Sequence, residues 1–357
     1  MVLAARWSLG GPWLRRPAPT TAIRHHSRIR LRMSFGRAHR SRMLADHLGI
    51  PWPAVIAHRG ASYWAPEGTQ PAYVTACDLG ADYLEADVRR TKDGVLIVYH
   101  DRTLQRTTNV SAVFPRRASE AVDSFTFDEL KRLDAGTWFN TQWPGRARPG
   151  FIGTRILRLE DLAAIAEART PRPGLYLEPK DASRYSGIER QLVDLLAARG
   201  WIGAGAEPSY AMPARVIFQS FEPESLRQFK TMAPHVPRVW LLDETTMRRV
   251  EWRDLLAQAG EIAMGIGTWG VRHAWSPRWS VAEAPRRYVT TWPWLNRSAH
   301  RAGLLVHVWT VNARWELRLV RCFGADGVFT DRPEVALAAF GRTAPRGSAA
   351  ARARLGA

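Results

Sequence analysis

The sequence predicts a (β/α)₈ TIM barrel with a small insertion after the second strand, and two observations support this fold class. From residue 54 onward, short apolar strands alternate with helical segments, and eight such pairs fit before residue 340. Polar side chains collect where the strands end, which is where such barrels place their functional groups. A doubly wound open sheet is the alternative arrangement of the same elements.

The predicted barrel strands are short apolar runs bounded by polar or glycine-containing segments. They cover residues 54–58, 82–88, 175–178, 215–219, 238–242, 262–266, 304–309 and 327–330. A further strand at residues 95–99 is predicted to pair with the second one as a hairpin, with TKDG as its turn.

Helical segments are predicted between the strands. They cover residues 70–79, 159–169, 187–199, 223–232, 246–259, 294–302, 313–323 and 333–340. The fourth predicted helix begins with acidic residues, which the helix dipole favours at that end. The last predicted helix has a proline at its first position. Residues 101–158 break the alternation, are rich in Arg and Thr, and contain one helix-like piece, FTFDELKRLDAG. This segment is predicted to be an insertion over one loop.

The net charge of +18 is concentrated in the two ends of the chain. Residues 1–45 hold ten Arg and no acid, and residues 342–357 hold four Arg and no acid. The predicted organisation is therefore a basic, disordered extension (1–50), the barrel (51–340) and a disordered basic tail (341–357). A barrel of nearly balanced charge argues against specific nucleic-acid binding and leaves peripheral contact of the tails with anionic membranes open. The sequence carries no pattern that indicates the oligomeric state.

The composition is that of a globular protein, with 46% hydrophobic and 24% charged residues and no apolar run of about 18 residues. The N-terminal region lacks the apolar stretch that a secretory signal needs. A cytoplasmic location is the leading expectation, and targeting to an organelle by the Arg-rich N-terminus is the alternative. Translation from Met33 or Met43 is also left open by the sequence.

Three carboxylates indicate a metal site. Glu85 and Asp87 are two apart on a predicted strand, so they point to the same face. Two carboxylates inside a barrel carry a large desolvation cost that a cation relieves, and Glu178 from the next barrel strand adds a third oxygen donor. An all-carboxylate site suits one hard divalent ion, Mg²⁺ or Ca²⁺. The alternative is a salt bridge to Arg89 or Arg90.

Two histidines, His58 and His100, end predicted strands and suit acid–base chemistry near neutral pH. A purely structural hydrogen-bonding role is the alternative for each. Arg59 and Lys180 supply positive charge for phosphate oxygens. A metal ion, two histidines and two cations together indicate phosphoryl-transfer chemistry. The segment GIGTWG matches a dinucleotide-binding pattern, but no helix pattern follows it, so glycines at a strand tip explain it better.

These motifs resemble those of the glycerophosphodiester phosphodiesterases. The matching segments are AHRGAS, APEGTQPAY, GADYLEADVRRTKDGVLIVYHDRTLQRTTN, FTFDELKRLDAGTWF, LYLEPK, QSFEPESL, VWTVN and GADGVFTDRP. They follow the family's order and span residues 54–336. The resemblance implies a phosphodiesterase barrel with a small inserted region.

The resemblance also assigns roles to site residues. It implies acid–base catalysis by His58 and His100, metal binding by Glu85, Asp87 and Glu178, phosphate contacts from Arg59 and Lys180, and supporting roles for Glu67 and Asp101. Glu67 lies in a segment that reads Pro-Glu-Gly-Thr where the family has Pro-Glu-Asn-Thr. Trp309, beside the seventh barrel strand's end, is expected either to pack on the glycerol carbons or to pack the barrel mouth.

The implied activity is hydrolysis of small glycerophosphodiesters, such as glycerophosphocholine or glycerophosphoethanolamine, to sn-glycerol 3-phosphate and an alcohol. The nucleophile, either the glycerol 2-hydroxyl or water, and the division of acid and base between the histidines stay open. One alternative is a lysophospholipase D-like activity, for which the Trp-rich segment 269–294 could supply an apolar channel. Another is a binding protein that uses its basic tails.

Overall fold

The structure, a computed structural model, describes residues 40–203, 215–271 and 291–342, together with positions 350 and 353. Within these residues nine strands form one sheet. The strands are β1 (Ala54–Ala57), β2 (Tyr83–Arg90), β3 (Leu96–Val98), β4 (Gly174–Pro179), β5 (Val216–Ser220), β6 (Arg238–Leu241), β7 (Gly265–Trp269), β8 (Leu305–Trp309) and β9 (Gly327–Thr330).

The sheet closes into an eight-stranded parallel barrel. Strands β1, β2, β4, β5, β6, β7, β8 and β9 pair in parallel in that order, and β9 returns to pair with β1. Strand β3 lies antiparallel to β2, with Val88 opposite Val98. Both the predicted TIM barrel and the predicted hairpin are confirmed.

Helices connect the barrel strands and cover the outside of the sheet. They are α1 (Gln70–Leu79), α2 (Leu159–Glu167), α3 (Ile188–Ala198), α4 (Pro223–Met232), α5 (Glu244–Arg249), α6 (Trp252–Ile262), α7 (Pro293–Arg301), α8 (Arg314–Cys322) and α9 (Pro333–Ala339). None of these helices, nor any other in the described part of the chain, has both the length and the apolar character needed to cross a membrane.

Two predicted elements on the β6–β7 side are wrong in their bounds. The helix expected over residues 246–259 is two helices, α5 and α6, and the strand expected over residues 262–266 lies at Gly265–Trp269. Leu255, Ala259 and Ile262 recur at helical spacing and are buried against the barrel. The apolar residues that read as the start of a strand are therefore the end of an amphipathic helix.

The inside of the barrel is filled from the bottom by large side chains. Tyr83, Tyr176 and Phe329 point inward from β2, β4 and β9 and are buried in one cluster. Ala45 and Ile50, from the chain before β1, belong to the same cluster. Residues 40–48, which fall within the extension predicted over residues 1–50, are helical, and the rest of that prediction lies outside the described residues. The chain before β1 closes the lower end of the barrel, which leaves the upper end for polar groups.

The segment between β3 and α2 is built from three short helices and four 3₁₀ turns. It has its own core, in which Phe125 and Leu130 pack with Ile97 of the hairpin. Only Phe127–Leu130 of the predicted helix is helical there, and a capping box between Thr126 and Glu129 begins it. This segment lies against the hairpin that leads to His100.

Candidate active site

The carboxyl ends of the barrel strands bring the predicted site residues together. His58 and Arg59 follow β1, Glu85 and Asp87 lie on β2, and Glu178 lies on β4. Lys180 follows β4 and His100 follows β3. Because parallel strands end at one rim of the barrel, residues from β1, β2 and β4 meet at a single mouth, and the antiparallel strand β3 runs back along β2 and brings His100 beside Asp87.

His58 is held by an aspartate from the opposite end of the chain. Its Nδ1 lies 2.8 Å from Oδ1 of Asp331, which follows β9. Ser62 donates a hydrogen bond to the same carboxylate oxygen, and Asn312 donates one to Oδ2. Burial opposes ionisation of Asp331, but the hydrogen bonds from His58, Ser62 and Asn312 outweigh it and lower its pKa. Asp331 is thus an ionised acceptor that orients the His58 ring.

Arg59 adopts a strained backbone conformation. Its φ is 54°, a left-handed value that is uncommon for residues other than glycine. The conformation lets its backbone N–H donate to Glu85 Oε2 over 2.7 Å. Gly60 follows at φ 86°, and a Cβ there would lie 2.7 Å from the Ala72 carbonyl carbon. A side chain at position 60 would therefore collide with α1, which is why the turn beside the site needs glycine.

Glu85, Asp87 and Glu178 form a compact carboxylate group. Each offers one oxygen, these oxygens all lie within 4.8 Å of one another, and all three residues are buried. Asp87 and Glu178 are register partners on the paired strands β2 and β4. The strand pairing therefore places the carboxylates side by side, as the spacing on β2 predicts.

Two cations offset part of this negative charge. Arg59 Nε lies 3.1 Å from Asp87 Oδ2, and Lys180 Nζ lies 3.2 Å from Asp87 Oδ1 and 2.8 Å from Glu178 Oε1. The alternative salt bridges to Arg89 and Arg90 are not formed. Arg89 donates instead to Asp181 and the His100 carbonyl, and Arg90 donates to the Ser186 carbonyl.

The pKa values in the carboxylate group are shifted in opposite directions. Burial raises the pKa of Glu178 to about 7, and burial together with the Asp87 charge raises that of Glu85. Burial acts to raise the Asp87 pKa as well, but Lys180 and Arg59 outweigh it and the pKa is lowered. Full ionisation of all three carboxylates would exceed the positive charge of Lys180 and Arg59, so Glu85 and Glu178 retain their protons to higher pH than free carboxyl groups do.

The carboxylate group fits a divalent cation. Asp87 Oδ2 is buried and receives no well-directed hydrogen bond. All three side chains offer oxygen, the donor type that Mg²⁺ and Ca²⁺ prefer and that zinc sites use less. A cation between the three carboxylates would replace the protons that the raised pKa values retain. The group can therefore hold a metal ion.

His100 has the same arrangement as His58. Its Nδ1 lies 2.6 Å from Oδ1 of Asp101, the next residue. Burial lowers the pKa of His100, and the positive charges of Arg59 and Lys180 act in the same direction, against the attraction of Asp101 and Asp87. The imidazole is therefore neutral near pH 7, with a carboxylate fixing its orientation.

Arg106 is a component of the site that the sequence analysis missed. Its guanidinium donates to both oxygens of Asp101, over 2.5 and 3.1 Å, and to both oxygens of Glu67, over 2.9 and 2.6 Å. Glu67 accepts a further hydrogen bond from Arg59 over 2.9 Å. One arginine thereby joins the His100–Asp101 pair to the arginine beside the carboxylate group. Its place in a loop of the insertion carries no spacing signal that would have identified it.

We expect Arg106→Ala to lower kcat by about 10- to 100-fold, because a displacement of about 1 Å in a catalytic group can cost that much. Arg106→Lys should recover only part of this loss, since an ammonium cannot bind two carboxylates in bidentate fashion. Arg117→Ala is the matched control, as Arg117 bridges Glu120 and Glu129 in the same insertion but lies outside the site. A kcat for Arg106→Ala no lower than that of the control would contradict this role.

Aromatic rings form the opposite side of the mouth. Trp309, at the end of β8, makes edge-to-face contacts with Phe221 and Trp269, each at 5.8 Å between ring centroids. Lys180 Nζ lies 5.7 Å from the centre of the Phe221 ring. The aromatic wall of Phe221, Trp269 and Trp309 is thus continuous with the cationic part of the site. Trp309 Nε1 is buried and has no hydrogen-bond partner among the described residues.

A parallel barrel whose mouth combines a buried carboxylate group, two cations and two aspartate-bound histidines defines a class of hydrolase that acts on phosphate esters. Comparisons with known proteins give the same class. The model of the glycerophosphoryl diester phosphodiesterase family matches residues 58–335. The chain is 32% identical over 280 residues to a glycerophosphodiester phosphodiesterase of Bacillus subtilis, covering 78% of this chain and 84% of that protein.

Further relatives agree. A glycerophosphodiester phosphodiesterase of Caldanaerobacter subterraneus subsp. tengcongensis is 31% identical over 281 residues, covering 78% of this chain and 94% of that protein. A crystal structure of the Agrobacterium tumefaciens enzyme has a TM-score of 0.55 at 26% identity and covers 80% of this chain and 99% of that one. A phosphodiesterase of Oleispira antarctica, solved with the product sn-glycerol-3-phosphate, shares the fold with a TM-score of 0.61 at 22% identity, covering 81% and 97% of the chains.

The chain therefore belongs to the glycerophosphoryl diester phosphodiesterase family, and it is a phosphoric diester hydrolase.

Proposed function

We propose that the protein hydrolyses glycerophosphodiesters to sn-glycerol 3-phosphate and an alcohol by acid–base catalysis from His58 and His100, with one divalent cation held by Glu85, Asp87 and Glu178. Glycerophosphocholine and glycerophosphoethanolamine are representative substrates. The observation that carries this proposal is the matched pair of histidines, each bonded through Nδ1 to an aspartate at the same barrel mouth.

The Nδ1 contacts leave Nε2 of each ring to exchange a proton with substrate. Neither Nε2 atom has a hydrogen-bond partner among the described residues. In hydrolysis, one imidazole accepts a proton from the attacking hydroxyl group, and the other donates a proton to the leaving alkoxide oxygen. Asp331 and Asp101 stabilise whichever ring is protonated and hold its orientation, as carboxylates do for catalytic histidines elsewhere.

The phosphate is bound by the chain's own cations in this proposal. Arg59 offers a planar fork of donors for two phosphate oxygens, and Lys180 offers a point charge. Both already contact Asp87, so they are held at the mouth before substrate arrives. A bound divalent cation would add Lewis-acid stabilisation of the phosphate charge that builds in the transition state. Preorganised positive charge of this kind supplies a large share of catalysis in phosphoryl transfer.

Glu67, Asp101 and Trp309 hold other groups in position in this proposal and do not transfer protons themselves. Glu67 joins Arg59 to Arg106, and Asp101 joins Arg106 to His100. Burial acts to raise the Glu67 pKa, but hydrogen bonds from Arg106 and the charge of Arg59 outweigh it and lower the pKa. Trp309 presents an apolar ring edge next to the cationic part of the site, and we propose that it packs on the glycerol carbons.

A lysophospholipase D-like activity is not favoured by the family comparisons. The Trp-rich segment 269–294 that could line an acyl channel lies largely outside the described residues, which end at 271 and resume at 291. Small glycerophosphodiesters therefore remain the preferred substrate class.

The test is an enzyme-coupled assay of glycerol 3-phosphate release by the full chain. Glycerophosphocholine and glycerophosphoethanolamine serve as substrates, and a lysophospholipid is assayed in parallel. We expect turnover of the two small diesters with kcat of about 1–10³ s⁻¹, the usual range for enzymes. Hydrolysis of the lysophospholipid alone would overturn the proposed substrate class.

A further inference from the structure

An open groove with a volume of about 640 Å³ leads away from the site on the side of His100. Four cations and two carboxylates line it: Arg89, Arg102, Lys180, Arg184, Asp101 and Asp181. His100 and Lys180 belong both to the groove and to the catalytic mouth. The groove therefore begins at the groups expected to contact the scissile phosphate.

Both carboxylates of the groove already have hydrogen-bonding partners within the protein. Asp101 is bound by His100 and Arg106, and Asp181 is bound by Arg89 over 2.8 Å. Arg184 is paired with Asp123 of the insertion, outside the groove lining.

Arg102 is different from the other groove cations. Its side chain is exposed, and it makes no ion pair with any residue that the structure describes. It follows directly after His100–Asp101, so the backbone that orients the catalytic pair also carries this charge to the groove wall. Arg102 therefore supplies a positive charge that no described carboxylate holds in an ion pair, although the charge is near enough to help lower the pKa of Asp181, which Arg89 already binds.

The two sides of the mouth differ in chemistry. The aromatic wall of Phe221, Trp269 and Trp309 lies on β5, β7 and β8 or just after them, whereas no Phe, Tyr or Trp among the described residues lines the groove on the His100 side. Quaternary ammonium groups are recognised by aromatic rings, and an excess of arginine repels them. The groove is therefore poorly suited to a choline headgroup.

We propose that this groove receives the headgroup of the substrate and that the protein prefers glycerophosphodiesters with anionic headgroups to those with quaternary ammonium headgroups. The inference rests on the proposed function, since it assigns a substrate class to the same site. The glycerol phosphate half lies toward the aromatic wall, and the alcohol half leaves past His100 into the groove. Arg102 is a specificity-determining residue that contacts the negative groups of the headgroup.

The test compares three diesters whose headgroups carry graded charge: glycerophosphoinositol 4-phosphate, glycerophosphoinositol and glycerophosphocholine. Wild-type kcat/KM should fall in that order. Arg102→Glu should lower the ratio of kcat/KM for the anionic over the cationic substrate by about tenfold, since it reverses one exposed charge near the headgroup. Most of this change should appear in KM, and it should shrink at high salt, because screening weakens exposed charge pairs.

Arg116→Glu is the matched control. Arg116 is an exposed arginine of the same insertion, it does not line the groove, and the substitution makes the same change in net charge. A substrate ratio that Arg102→Glu leaves unmoved, or moves no further than the control does, would overturn the inference. An equal loss on all three substrates would also overturn it, because the charge would then act on the shared glycerol phosphate. Failure of the proposed function would look different, as no diester would be hydrolysed by the wild type.

Discussion

Alanine at either His58 or His100 is expected to lower kcat for glycerol 3-phosphate release by about 10²–10⁴-fold, the usual contribution of a positioned proton-transfer group. KM should change much less, because neither ring is the main source of phosphate binding. The double variant should lose less than the product of the two single losses, since residues that act as a unit are not additive. Single-turnover rates and steady-state kinetics on glycerophosphoethanolamine measure both quantities.

His235→Ala is the matched control for these substitutions, because His235 is exposed and lies outside the site. Thermal unfolding of each variant checks that the fold is retained. The pH dependence adds a second test. Burial lowers the pKa of His100, so a limb of kcat/KM that reports this group should lie below pH 6.5 and disappear in His100→Ala. If either alanine variant kept activity within threefold of the control, that histidine would not transfer a proton in the rate-limiting step.

Removal of divalent cations is expected to lower activity by at least about 10³-fold, and Mg²⁺ or Ca²⁺ should restore it. The physical reason is the group of Glu85, Asp87 and Glu178: when all three are ionised, Arg59 and Lys180 offset their negative charge only in part, and a divalent cation offsets the rest. Added cation should also raise the melting temperature by a few degrees, because a ligand present at about 100 times its Kd stabilises the native state by about 2.7 kcal/mol. Differential scanning fluorimetry at graded cation concentration measures this without a substrate.

The cation effect should depend on pH in a stated direction. Burial raises the pKa of Glu178 to about 7, so protons compete with the cation as the pH falls through that value. The apparent affinity should therefore weaken below about pH 7. Glu178→Gln should abolish the rise in melting temperature, whereas Glu224→Gln, at an exposed residue of α4, should leave it unchanged. A melting temperature insensitive to both ions at every pH would rule out this cation site.

Much of the fold and of the site could be predicted because the relevant patterns are local. Alternation of apolar strands and helices is visible in windows of about ten residues, and it predicted the order of the barrel strands. The two-residue spacing of Glu85 and Asp87 on one strand put both carboxylates on one face. The rule that parallel barrel strands end at a common rim then gathered His58 and Lys180 with them, and the predicted antiparallel hairpin returns His100 to the level of Asp87.

Other features were missed because they depend on contacts between distant parts of the chain. His58 and Asp331 are separated by 273 residues, and Arg106 and Glu67 by 39, so no local spacing predicts either pairing. The boundary between α6 and β7 was misplaced because an apolar run can end a helix or begin a strand. Packing of Ile262 against the barrel decides between the two.

The sequence by itself determined the class of fold and the set of groups that meet at the candidate site, because both follow from periodicity and from where the predicted strands end. Only the tertiary structure decided which cation offsets which carboxylate. Arg59 and Lys180 contact the carboxylate group, Arg89 turns away from it, and Arg102 makes no ion pair with any described carboxylate. Ion pairing depends on distances of a few ångströms between side chains from different elements, and those distances exist only after the barrel has closed.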